Sequence, residues 1–247
     1  SEMMGAILAK DSANYKGRLL KTAILSRKGD TNSAIKEASE LIESNPTQTE
    51  AIELLATMYA GKRDTENAVA VLAKGIAASP KNLSLRYQLA RVHMISGNAA
   101  KAEQTMLEVI AIEPEKLAHR VSLASFFAQQ NQLDKAEKTL RDAVQANPKD
   151  EERYLLLAEF LASRRGASLA EQELQAALKT LPKGYKIRLG LARIYEKTNA
   201  MDSAVKAYRD IIGLADDDQD GLTARNRLAR LFWSNGKLDD AQKLIAE

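Results

Sequence analysis

The sequence predicts an all-α protein, a solenoid of antiparallel helix pairs, and three features predict it. The five prolines, Pro46, Pro80, Pro114, Pro148 and Pro182, stand 34 residues apart. A fixed period in this range means stacked repeats. Alanine recurs ten residues after each proline (Ala56, Ala90, Ala124, Ala158, Ala192) and again twenty-two after (Ala68, Ala102, Ala136, Ala170, Ala204). Leucine recurs nine after, at Leu55, Leu89, Leu123, Leu157 and Leu191. A large side chain recurs twenty-six after, at Leu72, Met106, Leu140, Leu174 and Tyr208.

Each unit reads as two amphipathic helices joined by a short turn, near "GKRD", "SGNAA" or "QNQLD". Helix axes that approach within roughly 8–10 Å need small side chains at the crossing. The two alanine columns supply them, and the leucines fill the space beside them. Proline cannot continue the second helix and suits the turn into the next unit.

The elements follow in order. Met3, Met4, Ile7 and Leu8 have helical apolar spacing, and Met4 falls in the column of Leu72 and Leu140. Residues 1–11 are therefore expected to be the end of a truncated repeat. Full repeats follow at 12–45, 46–79, 80–113, 114–147, 148–181 and 182–215. In the first of these Ser12 holds the proline position, and Leu25 falls in the column of Tyr59, Phe127 and Tyr195. Residues 216–247 form a truncated last repeat. There "NRLARLFWSNGKLDDAQKLI" fits if the frame slips by three, with Ala229 and Ala241 as the two alanines and Gly236 at the turn. The slip is expected in the linker "ADDDQDG". Neither end carries the polar cap a solenoid needs, so the chain is expected to be part of a longer array. Met4, Ile7, Leu8, Leu244 and Ile245 are expected to favour self-association through apolar stripes.

The period, the paired helices, "LA…Y" in the first helix, the small residue opening the second and the terminal proline resemble tetratricopeptide repeats. The resemblance covers essentially the whole chain. It implies a right-handed superhelix that binds proteins and performs no catalysis, and the style of the array resembles bacterial repeat proteins. One column departs from the family pattern. Six residues after the proline stand Arg86, Arg120 and Arg188, with Arg18 and Arg225 in the flanking units; only Ile52 and Tyr154 are apolar. These arginines are expected to lay their stems on the helix pair and hold their heads in water.

Composition excludes several classes. Hydrophobic residues make up 45% and charged residues 28% of the 247 residues, which is a globular balance. No apolar run approaches the ~20 residues of a membrane helix. Cysteine is absent, so there is no disulfide framework and no thiolate metal site. A net charge of +3 is too mild to imply nucleic acid. His93 sits in the aromatic column as a packing residue, and His119 is expected near the surface. Asp216, Asp218, Asp220 and Gly221 open like a calcium loop, but Arg227 stands where the bidentate Glu is needed. Acidic residues at a helix N-terminus explain the run better. No nucleophile elbow, phosphate loop or zinc-protease motif is present. No catalytic residue, metal or cofactor is expected, and the compartment stays open between cytoplasm and cell envelope.

The resemblance places the functional surface on the concave side, lined by the first helices. Eleven residues after the proline stand Ala23, Thr57, Arg91, Ser125, Glu159, Arg193 and Arg230, in the slipped frame for the last. This departs from the Lys and Asn set that clamps a terminal carboxylate in chaperone-binding repeats. The candidate partner-binding residues are Tyr87, Arg91, Lys186, Arg193, Lys197, Asn226, Arg227, Arg230 and Trp233. They suit a protein or peptide partner of acidic character. A competing reading has Glu159 and Glu196 neutralising the arginines as exposed ion pairs. Two alternatives remain for function. Single-stranded RNA would need a continuous basic stripe with stacking aromatics, which Glu50, Glu53, Glu152 and Glu159 interrupt. The chain could also be the repeat segment of a larger enzyme.

Overall fold

The computed structural model describes residues 14–215 and 218–246, and among them every regular element is helical. The helices are α1 Tyr15–Arg27, α2 Thr31–Ser44, α3 Thr49–Gly61, α4 Thr65–Ala78, α5 Leu83–Ile95, α6 Ala99–Ile112 and α7 Leu117–Gln129. They continue as α8 Leu133–Ala146, α9 Glu151–Arg164, α10 Ala167–Thr180, α11 Tyr185–Lys197, α12 Met201–Leu214, α13 Gln219–Ser234 and α14 Leu238–Ala246. The all-α class is thus observed. Met4, Ile7, Leu8, Ser12 and Asp216 lie outside the described residues.

Two or three residues join each odd-numbered helix to the next, so the partners run antiparallel. The turn has a chemical signature. Gly29, Arg63, Gly97, Asn131, Asn199 and Gly236 adopt φ between +57° and +85°. Glycine and asparagine visit that region most readily among the residue types. Arg63 is the misfit.

Caps set the helix starts. Asn14, Asn82 and Asp150 each accept a hydrogen bond from a first-turn N–H at 2.9–3.0 Å, the usual N-cap arrangement. Gln48 and Gly184 supply no such side chain. The preceding repeat supplies it instead. The Tyr15 hydroxyl accepts from Ala51 N at 3.3 Å, and the Glu151 carboxylate from Ile187 N at 3.0 Å.

The chain divides into two compact units, one ending at His119 and one beginning at Arg120. Each has its own chain of small cores. In the first, Ile52, Ala56, Ala68, Leu72, Leu85 and Val92 form one cluster, and Ala34, Ala38, Leu55 and Met58 another. In the second, Ala192, Ala207, Tyr208, Ile211, Leu228 and Phe232 pack together with Ala224 and Ala241. Both alanine columns are buried throughout, from Ala34 to Ala241. Complete burial of a leucine such as Leu72 or Leu157 contributes about 1.5–3 kcal/mol.

Two sequence expectations are corrected. The slip of three residues does not lengthen the linker. Helix α13 starts at Gln219, 34 residues after α11, and is 16 residues long where α11 has 13. The extra residues add most of a helical turn. Asp218 at the N-cap position and Asp220 in the first turn favour that extension by complementing the helix dipole.

The arginine heads are also not simply in water. Arg86 is 9% exposed and donates to the Asn82 carbonyl at 3.2 Å. Arg188 donates to the carbonyls of Pro182 at 2.7 Å and Gly184 at 3.3 Å. Arg18 is ion-paired with Glu37 and Glu40. One column earlier, Arg153 is 3% exposed and donates to Asp150 at 3.1 Å and to the Ala143 carbonyl at 2.8 Å. Turns and helix C-termini leave carbonyls without backbone partners, and a guanidinium carries five donors to satisfy them. Arg153 thereby ties its repeat to the preceding one, while Arg18, Arg86 and Arg188 bond within their own repeats.

Candidate functional site

The sequence-derived candidates in the first unit are Tyr87 and Arg91, both on α5. Tyr87 is half-buried, and its hydroxyl lies 2.7 Å from His119 Nδ1. His119 Nε2 lies 3.0 Å from the Glu113 carboxylate. His119 was expected near the surface but is only 7% exposed. The reason is that the first turn of α7 packs its imidazole against the Tyr87 ring, at 5.9 Å between centroids. Arg91 is exposed, with no hydrogen bond or ion pair among the described residues.

In the second unit, Lys186, Arg193 and Lys197 are exposed on α11. They sit in a basic stretch, with six basic side chains and one acidic between Gln175 and Met201. None of the three has a hydrogen bond or ion pair among the described residues. Glu196, the one acidic member, accepts a short hydrogen bond from the Tyr208 hydroxyl. Burial, followed by the Glu196 carboxylate, holds that phenol far above its usual range, while nearby Arg227 opposes the shift. Glu159 likewise has no ion pair among the described residues. The exposed pairing of Glu159 and Glu196 with the arginines is therefore not formed.

The C-terminal helix pair carries an open groove of about 850 Å³. Asn226, Arg227, Arg230 and Trp233 line it from α13, and Ala241 and Ile245 from α14. Glu196 and Tyr208 also line it. Trp233 is 70% exposed and Ile245 71%. Arg230 is exposed and unpaired among the described residues, and Arg227 is half-buried beside the Tyr208 hydroxyl. The structure thus brings four candidates into one groove. Lys186, Arg193 and Lys197 do not line it, and Tyr87 and Arg91 belong to the other unit. The Glu196–Tyr208 contact escapes sequence reasoning, since Tyr208 reads only as a core position.

The groove thus combines an exposed tryptophan, apolar walls and the guanidinium of Arg230, unpaired among the described residues. Among the described residues no group of three or more His, Asp or Glu side chains could hold a metal. No described helix is long and apolar enough to cross a membrane. Stacked helix pairs bearing such a surface define a helical-repeat scaffold.

The comparisons name the kind. Tetratricopeptide repeat profiles match residues 59–121, 117–160 and 155–219 in succession. The chain belongs to the tetratricopeptide repeat family, whose arrays are protein-interaction scaffolds and generally non-catalytic. No curated protein matches the chain. Among solved structures, a tetratricopeptide repeat protein from Parabacteroides merdae is 15% identical, with 94% of this chain and 92% of that chain covered and a TM-score of 0.46. The PilF protein of Pseudomonas aeruginosa is 16% identical over 89% and 99% of the two chains, at 0.46. A double mutant of MamA from RS-1 is 14% identical over 60% and 83%, also at 0.46.

Proposed function

We propose that the protein is a non-enzymatic scaffold that binds an acidic segment of a partner protein, with the α13–α14 groove as its principal contact. The observation that carries this reading is the pairing of an exposed Trp233 with an unpaired Arg230 in one groove. Tryptophan and arginine dominate binding hot spots because they bury a large area and carry directional donors. Arg193, Lys186 and Lys197 on α11 extend the positive surface. Charge of this kind raises the association rate for acidic partners.

Trp233 is the single tryptophan of the chain, so it reports on its own site. The experiment is a fluorescence titration with synthetic amphipathic peptides carrying glutamate-rich or lysine-rich polar faces. The glutamate peptide is expected to shift the Trp233 emission to the blue and to lose at least about tenfold in affinity against Arg193→Glu combined with Arg230→Glu. Equal binding of both peptides, or no effect of the double variant, would overturn the proposal.

A further inference from the structure

A second concavity lies elsewhere in the same unit, between α7 and α9. Val121, Ala124 and Ala128 form one wall, Leu156 and Phe160 the other, and Leu140 of α8 the floor. Its volume is about 220 Å³, below the roughly 300 Å³ at which small-molecule pockets begin. Val121, Leu156 and Phe160 are only half-buried, so apolar surface remains uncovered there. The small side chains of α7 opposite the large ones of α9 leave a slot of single-side-chain size.

The rim is charged. Glu159 and Arg164 both line the slot, both are exposed, and neither has a hydrogen bond or ion pair among the described residues. Five residues apart on α9, they are separated by roughly 7.5 Å along the helix axis. Ser125, also on the rim, and Glu159 occupy the same repeat position as Arg193 and Arg230. All four are exposed. The slot therefore belongs to the strip that carries the basic surface of α11 and α13.

We infer that this slot is a specificity pocket for one bulky apolar side chain of a partner peptide, leucine or phenylalanine, flanked by a basic residue toward Glu159 and an acidic one toward Arg164. The inference rests on the reading of the chain as a peptide-binding scaffold, but on separate residues from the α13–α14 groove. It makes the ligand bipartite, with an apolar anchor at α7–α9 and acidic character toward α11–α13.

The test is selection of random twelve-residue displayed peptides on the wild-type protein, on Ser125→Leu, on Glu159→Lys and on Arg230→Glu. Ser125 is exposed on a helix, so leucine there fills the slot without disturbing the core, and circular dichroism checks the fold of each variant. Wild-type selection is expected to enrich a bulky apolar residue with a basic neighbour. Peptides so selected should bind Ser125→Leu about tenfold more weakly. Selection on Glu159→Lys should replace the basic neighbour with an acidic one. Apolar enrichment that survives Ser125→Leu, or its absence on the wild type, overturns the slot. Acidic enrichment lost only with Arg230→Glu would in that case leave the groove reading intact. The reverse pattern would keep the slot and remove the groove.

Discussion

Tyr87 and Trp233 are the two aromatic side chains that the repeat pattern assigns to the binding surface, one in each unit, and their surroundings differ. Tyr87 is half-buried with its hydroxyl on His119, which in turn faces Glu113. Trp233 is 70% exposed at the edge of an open groove. The arginines show the same contrast, though it does not follow the units: Arg91 of the first unit is exposed and unpaired among the described residues, and Arg153 of the second is buried. Arg86 and Arg153 are buried with their donors on turn carbonyls and carboxylates, while Arg193 and Arg230 are exposed and unpaired among the described residues. A candidate groove position is thus open only where no other side chain of the array already uses it. In the first unit an internal contact takes up the Tyr87 hydroxyl. In the second, the Tyr208 hydroxyl occupies Glu196 and leaves the arginines open.

The largest test of that division compares two arginines of the second unit. Arg153→Ala removes donors from the Ala143 carbonyl and from Asp150 inside a closed joint. Loss of charged hydrogen bonds in such a setting costs about 2–3 kcal/mol. Arg230→Ala should change stability by no more than about 0.5 kcal/mol, as exposed substitutions do, while weakening binding. Urea unfolding of both variants decides the matter, and equal destabilisation would erase the distinction between joint and groove arginines.

The aromatic pair gives a smaller contrast. Tyr87→Phe takes one partner from a buried imidazole, and an unsatisfied buried group costs about 1–2 kcal/mol. Trp233→Ala leaves stability within about 0.5 kcal/mol and weakens the binding of acidic peptides at least about tenfold, read by calorimetry because the variant has no tryptophan. A Tyr87→Phe variant as stable as wild type would reopen the first unit as a binding site.

Acid sharpens the comparison through His93, which is buried in the first unit. Burial, and then the charge of Lys101, holds its pKa below the ordinary imidazole value. The folded state therefore binds fewer protons than the unfolded state in the window just below the ordinary pKa of about 6.5. This contribution to stability is complete above that pH and is lost as pH falls through the window. His93→Phe, which matches Phe127 in the same column, should flatten that part of the urea midpoint against pH. An unchanged slope would assign the acid sensitivity to other groups.

Much of the architecture was legible because it is periodic. Proline at intervals of 34 marked the ends of helix pairs, and both alanine columns are buried as helix crossings require. What escaped lies between repeats. His119 looked superficial because its environment depends on Tyr87, 32 residues earlier. The arginine column suggested side chains reaching water, since the turn carbonyls that accept from them carry no sequence signal. The caps from Tyr15 and Glu151 reach residues 36 positions ahead, beyond the range of any local capping pattern. Three extra residues before Ala229 showed as a slip in frame, but only the helix start at Gln219 reveals an added turn. At the groove, residue type and offset nominated Arg230 and Trp233, while the apolar slot between α7 and α9 arises from a size mismatch across two helices.

The smallest effect concerns the turn inside the second helix pair. Arg63 adopts φ of +61° in a column otherwise held by glycine or asparagine. A side chain there crowds the backbone, whereas glycine enters the left-handed region without that penalty. Replacing a residue with glycine also adds freedom to the unfolded chain, which opposes the gain. Arg63 is exposed and has no side-chain hydrogen bond or ion pair among the described residues, so no contact is lost. Relief of the strained conformation, about 1–2 kcal/mol, outweighs an entropic loss of about 0.4–1 kcal/mol. Arg63→Gly is therefore expected to stabilise the protein by roughly 0.5–1 kcal/mol, and Arg63→Asn by a similar or smaller amount. Arg63→Ala retains the penalty and should give nothing. A urea midpoint that falls for glycine would show that the turn of the first unit draws its stability from the arginine side chain. The division between structural and available arginines would then have to be redrawn to include it.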